Sequence, residues 1–505
     1  ATASSVLPDS DLVVQNAGQW LIKYNNSSFK GQIIDPGYPE AREYVHKVLM
    51  EIVNNYDIDG ILMDDYFYAY GGTNTEDADS RSKHLYKVTD ADKDNSYIDD
   101  WRRANVDSVV HRLYRDLQKT KPWVRFGMGT PGNWSNKGTA GSYYGISLPA
   151  TTAMESYDYL YCNPVEWAKQ GWVDYLNPQV YWSTTAKKGD YDILTPWWAK
   201  KVCEHFSNKL PNGQKVHFFA SQGACYVYDN EGMEGYNDGV AEIQRQIDVN
   251  RANLSSGYTG SVFFSTSSAI LMRNELRESH FQYKALPPAM DWKSKTTLAA
   301  PTNIQVKDTV MSWEHPTAER FTVYIYPRGT AKDSAAAPEY LKTVVYGKSC
   351  RMDGWGDLST KTIAIYSYDR FGVEHAAAYY EGNEVYEPKV AIRWELDGGT
   401  VDVDLPTYVT ERYVLPIPTK KGYDFDCWRS VKTTRGQKIT EIPAGWEGTL
   451  YAFWKKNSSA VEDIQLNGAI QVYDIMGRFV GNELPTNQHG VFIIIQGKNQ
   501  AKIVL

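Results

Sequence analysis

Residues 35–66 read DPGYPEAREYVHKVLMEIVNNYDIDGILMDDY, a helical pattern that runs into a short apolar segment closed by two adjacent acids. Pro39 stands at a helix start, where its missing N–H leaves no bond unmade and its φ is already helical. Val45, Val48, Leu49, Ile52 and Val53 recur at helical spacing and form one apolar stripe, which predicts a helix packed on a sheet. The strand that follows ends at Asp64 and Asp65. The next helix, WRRANVDSVVHRLYRDLQKT, carries Val106, Val109, Val110, Leu113 and Leu117 on one face. Further strands are predicted at 125–134, 173–182, 216–226 and 260–268, so the stretch 35–285 alternates strand and helix as repeated βα units on a parallel sheet do. Each predicted strand ends in a polar or aromatic cluster, as with Asn133 and Trp134, Gln179 with Tyr181 and Trp182, or Ser221 and Gln222. In a (β/α)8 barrel the active site is built from such ends.

After LPPAMDWKSKTTLAAP, bracketed by Pro287, Pro288 and Pro301, helical periodicity stops and short strands with turns take over. With 505 residues several domains are expected, at roughly 100 to 200 residues each. A net charge of −8, with the 53 Lys and Arg scattered, leaves no electrostatic footprint for nucleic acid. No window approaches the run of about 18 apolar residues that a membrane span needs. Aromatics are abundant, with 16 Trp and 37 Tyr, which suits sugar-stacking surfaces as well as cores. The five cysteines form no CxxC pair, and a single Cys203–Cys225 bridge is left open. Asp90, Asp92 and Asp94 have the spacing of a calcium loop, but Asn95 and Trp101 stand where Gly and Glu belong, so a solvated acidic loop is expected. No motif calls for a cofactor or a metal.

The segments DPGYPEAREYV, YDIDGILMDDYFY, NPQVYW, the pair Trp197–Trp198 and GSVFFSTSS together resemble the family 10-like glycosyl hydrolases, bacterial glycosidases with a TIM-barrel fold. The resemblance covers about residues 30–285. Members open with a first strand of Arg-Gly-Val-Trp type and two more βα units before the DPG segment, and residues 1–30 match none of these. The resemblance therefore implies a (β/α)8 barrel lacking its N-terminal strands, through truncation or processing, in residues 1–290. A partner chain or dimer contact is expected to cover the open edge. Residues 291–385 resemble a fibronectin type III sandwich, 386–456 the β-grasp-like Listeria–Bacteroides repeat, and 457–505 the C-terminal β modules of secreted Bacteroidetes proteins. Together these imply an exported protein of a Bacteroides-like bacterium, in the periplasm or at the cell surface.

Along a strand side chains alternate, which places Asp64 and Tyr66 on one face and Asp65 on the other. The spacing from Gly60 to Asp64 is similar to that of α-amylase and α-galactosidase type barrels, whose strand-end Asp is the nucleophile. Asp64 is accordingly expected to act as nucleophile or transition-state stabiliser, with Asp65 turned aside to orient it or grip a sugar hydroxyl. Tyr66, Asn133, Trp134, Gln179, Tyr181 and Trp182 are expected to bind substrate, and Asp59 to hold backbone amides at the strand entry. The second carboxyl of a glycosidase is not evident; Asp158, Glu166, Asp190 and Asp229 are loop candidates. The reading is an exported glycoside hydrolase acting on a polysaccharide, either a bacterial cell-wall glycan or a dietary or host glycan. Its rivals are a catalytically incomplete carbohydrate-binding surface protein and a structural surface protein.

Overall fold

The computed structural model describes residues 11–25, 30–65, 67–68, 79–88, 96–138, 140–228, 233–330, 336–382, 385–386, 392–409, 411–434, 437–456, 470–474, 478–483, 491–496 and 499–504. Tyr66, Asp229 and the acidic loop around Asp92 lie outside them. The chain begins with an antiparallel hairpin of β1 (Leu21–Asn25) and β2 (Lys30–Ile34). Then come α1 (Pro39–Asn55), β3 (Gly60–Asp64), α2 (Ser96–Thr120), β4 (Arg125–Gly129), α3 (Pro164–Gln170), β5 (Tyr175–Leu176) and β6 (Gln179–Val180). The unit ends with α4 (Tyr191–Trp197), β7 (His217–Gln222), α5 (Val240–Arg251) and β8 (Tyr258–Phe263).

All pairings between β3 and β8 are parallel, in the order β3, β4, β5 and β6, β7, β8. The predicted strand 173–182 is split into β5 and β6 at Asn177–Pro178, because Pro178 has no N–H to give a ladder. Among the described residues no pairing joins β8 back to β3. Among the described residues the sheet is not closed into an eight-stranded barrel, and β1 pairs with β2 instead of extending it.

The two faces of the sheet pack differently. Phe126, Met128, Leu176, Phe218 and Ala220 are buried against the helices, where Val106, Val110, Leu113, Leu117, Trp167 and Trp198 meet them. Burying side chains of this size stabilises by roughly 1.5–3 kcal/mol each. On the opposite face the rings of Tyr175 and Phe219 meet edge to face at 5.2 Å. Tyr175 fits only because residue 127 is glycine: a Cβ there would stand 2.0 Å from the phenol ring. Near the open edge burial falls away. Val53 is buried, but Val48 and Ile52 of the same stripe are 43% and 37% exposed, and Leu62 on β3 is 44% exposed. All five cysteines are free thiols, so Cys203 and Cys225 are not bridged.

Beyond residue 300 the described elements are strands, apart from a 3-10 turn at Pro338–Tyr340. The strands Thr302–Lys307, Val310–Glu314 and Ser349–Arg351 form one antiparallel sheet, and Arg320–Pro327, Leu341–Tyr346, Lys361–Tyr368 and Glu374–Tyr380 form another. The two enclose a core of Met311, Trp313, Phe321, Val323, Ile363 and Ile365. In a further unit Gly448–Lys456 runs parallel to Ile392–Glu395 and antiparallel to Tyr423–Arg429. Four more antiparallel strands follow between Gln471 and Val504. Among the described residues no helix is long and apolar enough to cross a membrane.

The Pro-rich connection is wedged rather than loose. Lys293 reaches under the sheet to Asp174, 2.5 Å away, and both side chains are buried. Asp174 also accepts the N–H of Phe126 at 3.0 Å, tying the pair to the entry of β4. Trp292 lies edge-on to His217, and Arg125 donates to the carbonyls of Pro288 and Phe371. Arg370 covers Trp123 and pairs with Asp57, while Arg320 binds Asp59 at 3.3 Å. Asp59 thus takes an ion pair from Arg320 of the β region beyond residue 300 instead of the backbone amides expected of it. Burial, with Arg125, Lys215 and Lys293 nearby, pushes the His217 imidazole down to about 3, so it is neutral here.

The buried pair predicts a large effect. Lys293→Met leaves the Asp174 carboxylate buried without its cation and is expected to cost about 3–5 kcal/mol. Adding Asp174→Asn should recover part of that loss, as read by urea denaturation.

Candidate functional site

Parallel strands carry their C-terminal ends to one edge, and there the structure assembles Asp64, Asp65, Gln179, Tyr181 and Ser221. Asp64 is the last residue of β3 and is exposed; its backbone neighbour across the ladder is Gly129. A Cβ at residue 129 would come within 2.8 Å of the Asp64 Cβ, so the glycine leaves room for the acid. Although Asp64 is exposed overall, partial desolvation of its carboxyl, and then the charge of Asp65, raise its pKa from the ordinary value.

Asp65 departs from strand alternation. Its φ is +50°, the left-handed region that Asp tolerates better than most residues, while its N–H still bonds to the Gly129 carbonyl at 3.3 Å. The kink redirects the side chain, and Asp65 Oδ1 accepts a hydrogen bond of 2.8 Å from Gln179 Nε2. The expectation that Asp65 turns aside is therefore corrected: both acids serve the same strand-end cluster.

Gln179 and Ser221 face each other across the β6–β7 ladder. The Tyr181 hydroxyl lies 3.5 Å from Ser221 Oγ. Burial pushes this phenol up to about 12, with smaller contributions from Asp65, Cys225 and Asp64, so it remains a hydrogen-bond donor. The Tyr181 ring stacks on Phe264 at 5.6 Å and 21°, and Phe264 is 54% exposed. Tyr226 closes the other side of Tyr181 at 6.4 Å.

A buried scaffold holds this wall from behind. Glu242, on α5, has no exposed surface, yet accepts from the Thr184 N–H at 2.7 Å, the Thr184 hydroxyl at 2.9 Å, Gln246 at 2.9 Å and Arg245 at 2.7 Å. Tyr236 donates to the Tyr181 carbonyl at 3.3 Å, and Gln246 to the Trp182 carbonyl at 3.4 Å. The backbone that presents Tyr181 is thereby fixed.

Three expectations are revised. Trp134 is fully buried between Tyr144, Tyr157 and Trp197, and Asn133, equally buried, donates to the Ala153 carbonyl. Both belong to the core, because β4 ends at Gly129 and the chain then dives beneath Trp198, whose indole bonds the Gly132 carbonyl. Trp182 is half-buried, its ring pressed against Gly132 and Gly189, where a Cβ would stand 2.8 Å and 2.3 Å away. It is a structural support for the cleft wall. Among the loop acids, Asp190 caps α4, Glu166 bonds Gln170 and pairs with Lys169, and Asp158 pairs with Arg103. Tyr226 and Phe264 were missed: neither lies in register with the acids, and only the folding of β7 and β8 brings their rings to Tyr181. Among the described residues no cluster of three or more His, Cys, Asp or Glu side chains is placed to hold a metal.

Acids, an amide and a phenol thus meet at the C-terminal strand ends of a parallel α/β sheet, the edge at which such folds build their sites. Residues 4–219 match the family model described as Glycosyl hydrolase-like 10. The protein named Glycosyl hydrolase YngK of Bacillus subtilis (strain 168) is 33% identical over 287 residues, covering 56% of this chain and 51% of that protein. Glycosyl hydrolase DigH of Escherichia coli (strain K12) is 30% identical over 224 residues, covering 44% and 46% respectively. The chain spans about half the length of these curated relatives. Of solved structures, bee venom hyaluronidase overlays with a TM-score of 0.30 at 11% identity, covering 48% of this chain and 79% of that one, too distant to carry chemistry across.

Core and cleft residues should separate in stability measurements. Trp134→Ala is expected to cost about 3–5 kcal/mol through the cavity it leaves. Gln179→Ala, at a half-exposed position, should cost under about 1 kcal/mol by the same denaturation assay.

Proposed function

We propose that this chain is a glycoside hydrolase acting on a polysaccharide, with Asp64 and Asp65 as its catalytic acids. The observation that carries the reading is the 2.8 Å bond from Gln179 to Asp65, which gathers residues 114 positions apart into one cluster beside an acid of raised pKa. A carboxyl whose pKa is raised keeps its proton nearer to neutral pH and suits a general acid. Asp64 is thus assigned the proton donor's role rather than the nucleophile's. Asp65, oriented by Gln179, places negative charge beside the oxocarbenium-like transition state. Gln179, Tyr181 and Ser221 supply hydrogen bonds to sugar hydroxyls, and Phe264 a flat apolar surface.

The two-sheet unit supports a fibronectin type III-like domain at 291–385, and the parallel-plus-antiparallel strand set a β-grasp-like domain at 386–456. Such modules, with the C-terminal strands, go with an exported protein that works on glycans outside the cytoplasm. The exposed Leu62, Val48 and Ile52 would then be covered by a partner chain or a second copy along the β3 edge. The competing reading, a carbohydrate-binding surface protein without turnover, draws on the loop acids Asp158, Glu166 and Asp190 all being engaged in other contacts.

Asp64→Asn tests the choice. It should lower turnover of a responsive glycan by about 10²–10⁴-fold while binding persists. Unchanged hydrolysis would remove Asp64 from the mechanism.

The pH profile adds a signed check. Asp64 acts protonated, so activity should fall as pH rises through its raised pKa. Asp65→Asn removes a charge that raises that pKa, and the basic limb of whatever activity remains should move to lower pH. A limb that stays in place would separate the two acids.

A further inference from the structure

Building on the hydrolase reading, we propose that Tyr161 is a positioning residue for the acid pair: its ring wedges Tyr68 in place and thereby sets the left-handed turn at Asp65.

Backbone strain marks the residue. Tyr161 has a φ of +52° and is the one aromatic side chain in the left-handed region among the described residues. A bulky residue gains nothing locally from that conformation, which persists only where the surroundings over-determine it. Here they do. Arg102, buried on α2, donates from Nη1 to the Tyr161 hydroxyl at 2.8 Å, and its guanidinium lies 4.8 Å from the centre of the ring. The same guanidinium forks onto the fully buried Asp79 at 2.8 Å and 3.0 Å. A bidentate pair of this kind fixes direction as well as charge.

The strained ring bears on Tyr68. The two meet edge to face at 5.1 Å and 84°, and Tyr68 has no exposed surface. The Tyr68 hydroxyl, in reach of the charges of Asp35, Asp79 and Arg102, finds no hydrogen-bond partner among the described residues. Tyr68 is thus held by its ring rather than by its oxygen. Phe67 adds a contact with Trp167 at 5.5 Å, but Trp167 belongs to the regular helix α3.

Chain length links this contact to the acids. Asp64 is fixed on one side by its ladder partner Gly129, and Tyr68 on the other by Tyr161. From Asp65 to Tyr68 the chain spans at most about 11 Å, so the place of the Tyr68 ring restricts the direction in which the backbone leaves β3. The φ of +50° at Asp65 meets both anchors and delivers the carboxylate to Gln179. The two strained residues are the ends of one chain of contacts.

The full chain is compared with Tyr161→Ala and Tyr161→Phe. A crystal structure of Tyr161→Ala should show Asp65 out of the left-handed region and its bond to Gln179 lost. Asp65 still at positive φ with that bond in place overturns the inference, whether or not the chain turns over a glycan. On a responsive glycan, kcat of Tyr161→Ala should fall by about 10²-fold. The basic limb of its pH profile should move to lower pH, because the Asp65 charge that raises the Asp64 pKa moves away. In an Asp65→Asn background Tyr161→Ala should move that limb no further. A ring that only fills the core would lower the yield of folded protein and leave the limb in place, which also overturns the inference. Tyr161→Phe keeps the ring and should keep both limb and turn; losing either there assigns the role to the hydroxyl and overturns it for the ring. Should Tyr161→Ala not fold, Tyr161→Leu, which keeps much of the volume without the flat ring, is read in the same way. Wild-type protein that turns over no glycan counts against the hydrolase reading alone, and the crystal structure then decides the role of Tyr161.

Discussion

A parallel sheet sends every C-terminal strand end to one edge and every N-terminal end to the other, and the rest of this protein follows from that constraint. The pairing of Gly60–Asp64 with Arg125–Gly129, and onward to Tyr258–Phe263, makes one edge a meeting place for side chains far apart in sequence. The opposite edge needs closing, and the connection around Lys293 with the β sheets behind it closes it. A buried ion pair there is weak evidence for added stability, since desolvation offsets much of its attraction. Its geometry nevertheless sets how the linker sits beneath the sheet.

At the upper edge the decisive feature is a single backbone conformation. Without the left-handed turn at Asp65, alternation would send that carboxylate to the helix side, among Met63 and Phe126. With it, Asp65 reaches Gln179 at the strand-end edge that also carries Asp64. The site is then held in layers. Glu242 and Gln246 clamp the chain at Trp182 and Thr184, Tyr236 holds the Tyr181 carbonyl, and the phenol reaches the cleft.

Much of this was legible in the linear order of residues. Helical spacing from Val45 to Val53 and apolar runs near 60, 125, 175, 217 and 260 correctly announced βα units, because burial against a sheet imposes those periods on any sequence. The motif of residues 59–68 pointed to the acids and, by resemblance, to a glycosyl hydrolase-like group. Asn133 and Trp134 misled, since a polar–aromatic pair after a strand reads alike whether the chain next lines a cleft or turns under it. Phe264 and Tyr226 gave no signal, being ordinary aromatic residues until two strands bring them to Tyr181.

The sequence by itself determined the kinds of element, their order and the acids available, because periodicity and side-chain chemistry are local properties. Tertiary structure decided which of those groups share a site. The φ of Asp65, the partner of Gln179 and the partial desolvation that raises the Asp64 carboxyl all depend on atoms contributed by distant segments. No local pattern records them.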